Sequence, residues 1–276
     1  RYLVRGLGGP ALQLACEPMT YTDTDRICLP PTLGVFPERD ENARLYKCTA
    51  SFLWAQNRYG TWRYRVLEQA IRQLDAATWP IYQRLETVRL TARISRDLPG
   101  LAREMTSLAY VDEAAREGWE RFTAQASDLC AIEATAEHCL QRVADFVGTP
   151  LPPSLRYQGE MFPAKVREVL FKRVPREKAA LQQALASLQQ ELGNDQSKDS
   201  ESGPAGDAAN RFSISTTESP GGAADFESLQ FNDRAVPTGP ELEALLASIL
   251  QDLGEVEDDY LNAGTVGDTY PAGAEP

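Results

Sequence analysis

Apolar residues return at three- and four-residue steps through most of the first 190 positions, so the pattern predicts helices. The stretch around which the chain is organised runs from Glu41 to Trp62. There Leu45, Cys48, Phe52, Ala55 and Tyr59 share one face, and Gly60 followed by Thr61 supplies a helix stop. A second helix is expected at about 62–76, with Val66, Ala70, Ile71 and Leu74 on one side. Trp79-Pro80 interrupts it, and 80–95 resumes through Ile81, Leu85, Val88 and Ala92 until Pro99-Gly100. From Leu101 to Val147 the period is helical almost throughout, with Trp119, Phe122, Ala126, Leu129, Ala136, Leu140 and Val143 as its stripe. Such aromatics at helical spacing read as core. Residues 154–163 read as an extended connector with a glycine turn. The helix after it, about 164–192, carries Leu181, Leu185, Leu188 and Leu192 at packing intervals and Pro175 as a possible kink.

Two regions break the helical pattern. Ahead of residue 40, Tyr2–Arg5, Leu12–Leu14 and Arg26–Leu29 alternate, which predicts a small β-ribbon with a turn at Asp23-Thr24-Asp25. The glycines at 6, 8 and 9 read as a tight turn, because no Gly-Lys-Ser/Thr follows and Pro10 suits a dinucleotide motif poorly. Residues 193–237 are dominated by Gly, Ser, Asp, Asn and Pro, and read as a flexible linker. After it, Thr238 and Glu241 match a capping box. Leu242, Leu245, Leu246, Ile249 and Leu253 then give one short helix an apolar face that must fold back on the core or dock into a partner's groove. The expected architecture is therefore mainly α: a helical domain with a small N-terminal β-ribbon over 1–192, a flexible linker over 193–237, and an amphipathic helix with an acidic tail over 238–276.

Charge and rare residues narrow the function classes. The net charge is −12 and the pI about 4.7, which argues against a nucleic-acid partner. The acid is concentrated in the run from Glu255 to Asp259, an exposed tail or a surface for a basic partner. Five cysteines, at 16, 28, 48, 130 and 139, form no framework, so a reduced cytoplasmic setting is expected. No apolar run is long enough to span a membrane. His138 is the single histidine, which leaves no material for an HExxH zinc site. Cys130, His138 and Cys139 lie near one another in sequence, yet 130 and 138 are about two helical turns apart and read as separate. No carboxylate pair is set apart by spacing as an acid and base.

Several spaced pieces of the chain resemble the CbbO/NorD family, the von Willebrand A-containing adaptor partners of MoxR-type AAA+ ATPases. Thr22-Asp23-Thr24-Asp25-Arg26-Ile27-Cys28-Leu29-Pro30 is similar to that family's ribbon. The opening helix with its Gly60-Thr61 close is the second piece. Leu85-Glu86-Thr87-Val88-Arg89, with Arg96–Leu101 after it, is the third, and Pro152–Gly159 the fourth. The acidic tail with Asp268-Thr269-Tyr270-Pro271 falls where the family has an acidic element. Many NorD-like relatives carry an H-x-x-x-H pair on the opening helix. Here Phe52 and Gln56 stand in those places, and Thr87 and Thr91 replace acidic positions, so a metal site on that face is lost. Glu86 and Arg89 remain, one turn apart, as a structural ion pair.

The resemblance implies a non-enzymatic adaptor of the CbbO kind, coupling a hexameric MoxR-type (CbbQ-like) ATPase to a substrate protein, with rubisco first and another metalloenzyme as the NorD-like alternative. ATP would belong to the partner. No cofactor is expected in this segment, and Mg²⁺ would sit in a von Willebrand A domain beyond Pro276, since Arg1 and Pro276 both look like cuts in a longer polypeptide. A reading from a different class is a degenerate zincin-like hydrolase scaffold, which one histidine disfavours.

Overall fold

Asp23 builds a tight turn near the N-terminus. Its carboxylate accepts from the backbone N–H groups of Asp25 (3.1 Å) and Arg26 (2.7 Å) and from the Arg26 guanidinium (2.9 and 2.7 Å), and Thr24 adopts a φ of +79°. Short polar side chains that bond the backbone a few residues on favour turns of this kind. The turn joins β2 (Tyr21–Thr22) to β3 (Arg26–Leu29) as an antiparallel pair, and β1 (Gln13–Cys16) lies parallel on the other side of β3. The computed structural model describes residues 12–199, 211–219 and 223–262. The readings at Tyr2–Arg5, at the glycines 6, 8 and 9, and at Asp268–Pro271 lie outside the described residues.

The helical body follows as α1 (Arg39–Arg58), α2 (Tyr64–Gln73), α3 (Trp79–Asp97), α4 (Pro99–Leu108), α5 (Glu113–Gln125) and α6 (Ala136–Arg142). Asp40 and Glu41 sit in the first turn of α1, where the helix dipole favours negative charge. Pro99 does not end a helix so much as open α4, because a first-turn residue has no need of an N–H. The nearly continuous helix expected over 101–147 is instead broken. Asp112 caps α5 through the Ala115 N–H at 2.8 Å, and 3-10 turns at Ser127–Cys130 and Val143–Phe146 bend the chain so that Trp119, Phe122, Leu129, Leu140 and Phe146 reach one core. Helical periodicity records which residues face inward, but not where the axis turns.

The mainly α architecture is present, and the largest difference lies after residue 193. The helix expected to stop near 192 continues, as α7 (Pro163–Asp199). The stretch read as a linker then holds three antiparallel strands, β4 (Phe212–Ser219), β5 (Ala223–Phe231) and β6 (Arg234–Val236). β5 and β6 are joined at Asn232 and Asp233, both at positive φ, the two-residue turn that suits a twisted hairpin. The sheet buries Phe212, Leu229 and Phe231 against Leu181 and Leu185 of α7 and Leu246 and Ile249 of α8 (Pro240–Leu253). A short α9 (Asp258–Leu261) adds Tyr260.

One smaller correction concerns the start of α8, and one open choice concerns its apolar face. Its N-cap is Gly239 rather than Thr238, because Pro240 sets the first turn; the Thr238 hydroxyl donates to Glu243, at 2.8 Å, and not to the backbone. Of the two readings of its apolar face, fold-back and docking, the structure has the face folded back on its own chain. Leu246 and Ile249 are buried, and Leu242, Leu245 and Leu253 pack on the same cluster. The surface this face folds against is the sheet and α7 rather than the core of the helical body.

Candidate functional site

The pieces of sequence singled out above meet where α1 faces α3. Thr61 N–H donates to the Gln56 carbonyl (3.0 Å) and Gly60 N–H to that of Asn57 (3.3 Å), which closes α1 with the paired bonds of a Schellman turn. Gly60 has φ +76°, and a Cβ there would meet the Arg63 side chain at 3.0 Å, so the turn requires glycine. The turn aims Thr61 inward, where its hydroxyl donates to Glu86 Oε2. Arg89, one turn along α3, donates from Nε to Glu86 Oε1 (2.7 Å) and from Nη2 to Oε2 (2.8 Å) and Thr61 Oγ1 (3.3 Å). Arg89 is 0% exposed and Glu86 1%.

The rest of the wall is equally closed. Gln56 Oε1 accepts from Trp62 Nε1 at 3.0 Å, and Phe52 packs on the Tyr157 ring at 5.4 Å between centroids. Asn57 Nδ2 donates to Thr22 Oγ1 (3.0 Å), which ties α1 to the ribbon. The connector closes the far side, where Glu160 N–H donates to the Thr20 carbonyl (2.7 Å) and Gln83 Nε2 to the Gly159 carbonyl (3.1 Å). Thr87 donates back to the Gln83 carbonyl at 2.8 Å, within its own helix.

The electrostatics keep these groups in fixed states. Burial pushes the Glu86 carboxyl up, but the Arg89 charge and the bonds from Arg89 and Thr61 outweigh it and hold the carboxyl below its usual range. Burial likewise works against the Arg89 charge, and the Glu86 carboxylate more than restores it. Cys139, on α6, lies against this pair. Burial first, and the Glu86 charge second, push its thiol well up, so it stays a neutral thiol and no nucleophile. Tyr82 is raised for the same two reasons.

This arrangement can hold two helices in register, and it offers solvent neither an acid nor a base. Both Glu86 oxygens are engaged, Phe52 has no donor atom, and Gln56 is committed to Trp62, so the residues do not fit a metal ion. Among the described residues no group of three or more His, Cys, Asp or Glu could hold one. His138 serves locally: its Nδ1 accepts from Thr135 N–H at 3.0 Å in the capping box of α6. A cleft of about 170 Å³ beside the cluster, among Thr91, Tyr110, Trp119 and Tyr157, is lined without a charged group.

A second polar site escaped the reading of the sequence. Arg173, midway along α7, donates to both oxygens of Asp252 (2.6 and 2.6 Å) and to Thr24 Oγ1 (2.9 Å), and pairs with Asp25. Burial works against the Arg173 charge, but Asp252 and Asp25 keep it charged. Burial pushes Asp252 up against the pull of Arg173. One turn on, Glu177 accepts from the Ser248 hydroxyl at 2.9 Å, and burial raises its carboxyl too. The available signal is that Arg173 and Glu177 continue the spacing of Val166, Leu170, Leu181 and Leu185, and that Asp252 shares a face with Leu245 and Ile249: charges standing inside apolar stripes.

Comparison with family models, with curated proteins and with solved structures finds no match to this chain. No described helix is long and apolar enough to cross a membrane.

Proposed function

We propose that the chain is a protein adaptor: the segment of a CbbO/NorD-like subunit that links a hexameric MoxR-type AAA+ ATPase to the protein it remodels. One observation carries this reading. The pieces that resemble the family, distant in sequence, are neighbours in space: Thr22 on Asn57, Thr61 on Glu86, and Phe52 on Tyr157. Residues that share one wall are under common physical constraint, which is what a resemblance in several spaced pieces requires. The wall is sealed, so it works by giving shape to the body, and ATP hydrolysis belongs to the partner ring. Rubisco is the substrate to test first, and another metalloenzyme is the NorD-like alternative. Mg²⁺ would be held by a von Willebrand A domain outside these residues. A cytoplasmic setting suits five cysteines that are all free.

The test is co-expression of the full-length parent chain with a MoxR-type ATPase from the same genome, followed by co-purification and an ATPase assay. Co-elution with the ring and a changed ATPase rate are expected. A ring that neither binds the chain nor alters its rate overturns the adaptor reading. Recovery of inhibited rubisco by the pair assigns the substrate; ring binding without that recovery moves the assignment to another metalloenzyme.

A further inference from the structure

Most of the buried apolar residues fall into two clusters with no member in common. One is built from the ribbon, α1–α6 and the start of α7, up to Leu170; the other from Leu181 onward, with the sheet, α8 and α9. α7 passes through both. Pro175 lies between them and has no N–H, so the helix lacks the bond that would close on the Phe171 carbonyl. A missing rung in a helix is the usual place for it to bend.

Apart from α7, ion pairs and the buried Leu250 of α8, which lies beside Arg58 and Arg63, join the second cluster to the first. Arg173 reaches across to Asp252, with Thr24 and Asp25 on its near side. Arg58, at the end of α1, makes a two-pronged pair with Asp225 of β5 at 2.7 and 2.5 Å. Arg63 packs between Gly60 and Gly254, and a Cβ on Gly254 would lie 2.9 Å from the guanidinium. The two sides differ in sign as well. Residues 12–173 hold 21 basic and 21 acidic side chains, whereas residues 212–262 hold eleven acidic ones and the single basic Arg234.

We propose that the described residues between Leu181 and Asn262 form a hinged acidic module, held against the helical body by Arg58 and Arg173 and free to swing about Pro175 when those pairs are broken. Each cluster keeps its own members in the swing, so the motion exchanges the ion pairs for water and uncovers, of the apolar side chains, chiefly Leu250 at the junction. Undocking rehydrates Asp252 and separates it from the like charge of Asp25. Such an exchange suits a rigid-body hinge, in which a few residues at the end or break of an element absorb the change. The proposal stands without the adaptor reading, since it concerns this chain alone.

The test places nitroxides, through non-canonical amino acids in the full chain, at Ser107 on α4 and Glu227 on β5, and reads their distance by pulsed electron resonance. The wild type gives one population. Asp225→Asn with Asp252→Asn gives a second, longer one, while near-ultraviolet dichroism of the first core is retained. Adding Pro175→Ala, which restores the missing helical bond, shrinks the longer population. A single wild-type distance in the double variant overturns the clasp, and a longer population indifferent to Pro175→Ala overturns the pivot. Should the double variant fail to fold, Asp225→Asn alone, at an exposed position, is measured from low to molar salt. The longer population is expected to grow with salt, and a distance that never moves overturns the proposal.

Discussion

Two buried ion pairs of similar geometry do opposite work in this molecule. Glu86 and Arg89 are three residues apart on one helix, and Thr61 completes their shell. Arg173 and Asp252 are 79 residues apart and join two bodies. The first pair lies within α3, and the Arg89 charge with the bonds from Arg89 and Thr61 holds its carboxylate ionised. The second must be brought together by docking, and burial raises Asp252 despite its partner. A local pair thus costs little chain ordering and serves as a fixed part of a core. A distant pair carries the desolvation of both charges and holds only while the two surfaces stay closed.

The sharpest way to break this contrast is to remove one partner from each pair. Arg89→Met leaves the Glu86 carboxylate buried with only Thr61, and is expected to cost about 3–5 kcal/mol. Urea unfolding followed by Trp fluorescence measures it, since Trp62 and Trp119 belong to that core. Replacing both, Glu86→Leu with Arg89→Met, is expected to recover most of the loss, because an apolar pair leaves no charge uncompensated. Arg173→Met is expected to cost less, about 1–3 kcal/mol, because the module can move off and let water reach Asp252. That loss belongs to the second core, so unfolding separates into two transitions. A single transition shifted as far as in Arg89→Met would make the two pairs equivalent.

Much of the first body was legible in periodicity. The faces read from Leu45 to Tyr59, from Val66 to Leu74 and from Trp119 to Val143 are the faces that are buried or packed on the core. The breaks within 109–147 were not legible, since short 3-10 turns keep side chains facing inward without a sequence mark of their own. The sheet was missed for a different reason. Its Ser and Thr residues resemble linker composition, and its few large apolar residues, Phe212, Leu229 and Phe231, find cover only from helices distant in the chain. The Asn232-Asp233 turn was the local clue. Glu86 with Arg89 could be read from one turn of spacing, whereas Arg173 with Asp252 could not, because nothing in either helix names its partner.

A smaller test separates docking geometry from charge. Gly254, the C-cap of α8, has φ +88°, and its Cβ position is occupied by Arg63. Gly254→Ala is expected to cost about 1–2 kcal/mol through the left-handed backbone, and more if Arg63 cannot move. Every formal charge stays in place. If thermal unfolding shows the cost in the second transition alone, the module is sensitive to fit as well as to ion pairing.

The smallest effect concerns Glu177, and its sign is the point. Burial raises this carboxyl above its ordinary range, so between its unfolded and folded values the folded state binds more protons. Its contribution to stability is therefore complete below the ordinary carboxylate range and declines as pH rises through the raised folded value. Glu86, held low, does the reverse: its contribution is complete above the ordinary range and is lost as pH falls through the folded value. Glu177→Gln keeps an acceptor for the Ser248 hydroxyl and removes the buried charge. A modest gain in stability is expected at pH 7, shrinking towards pH 4, where the wild-type side chain is already neutral. Denaturant titrations of both proteins at the two pH values measure it. A gain that stayed constant with pH would overturn the raised state of this carboxyl.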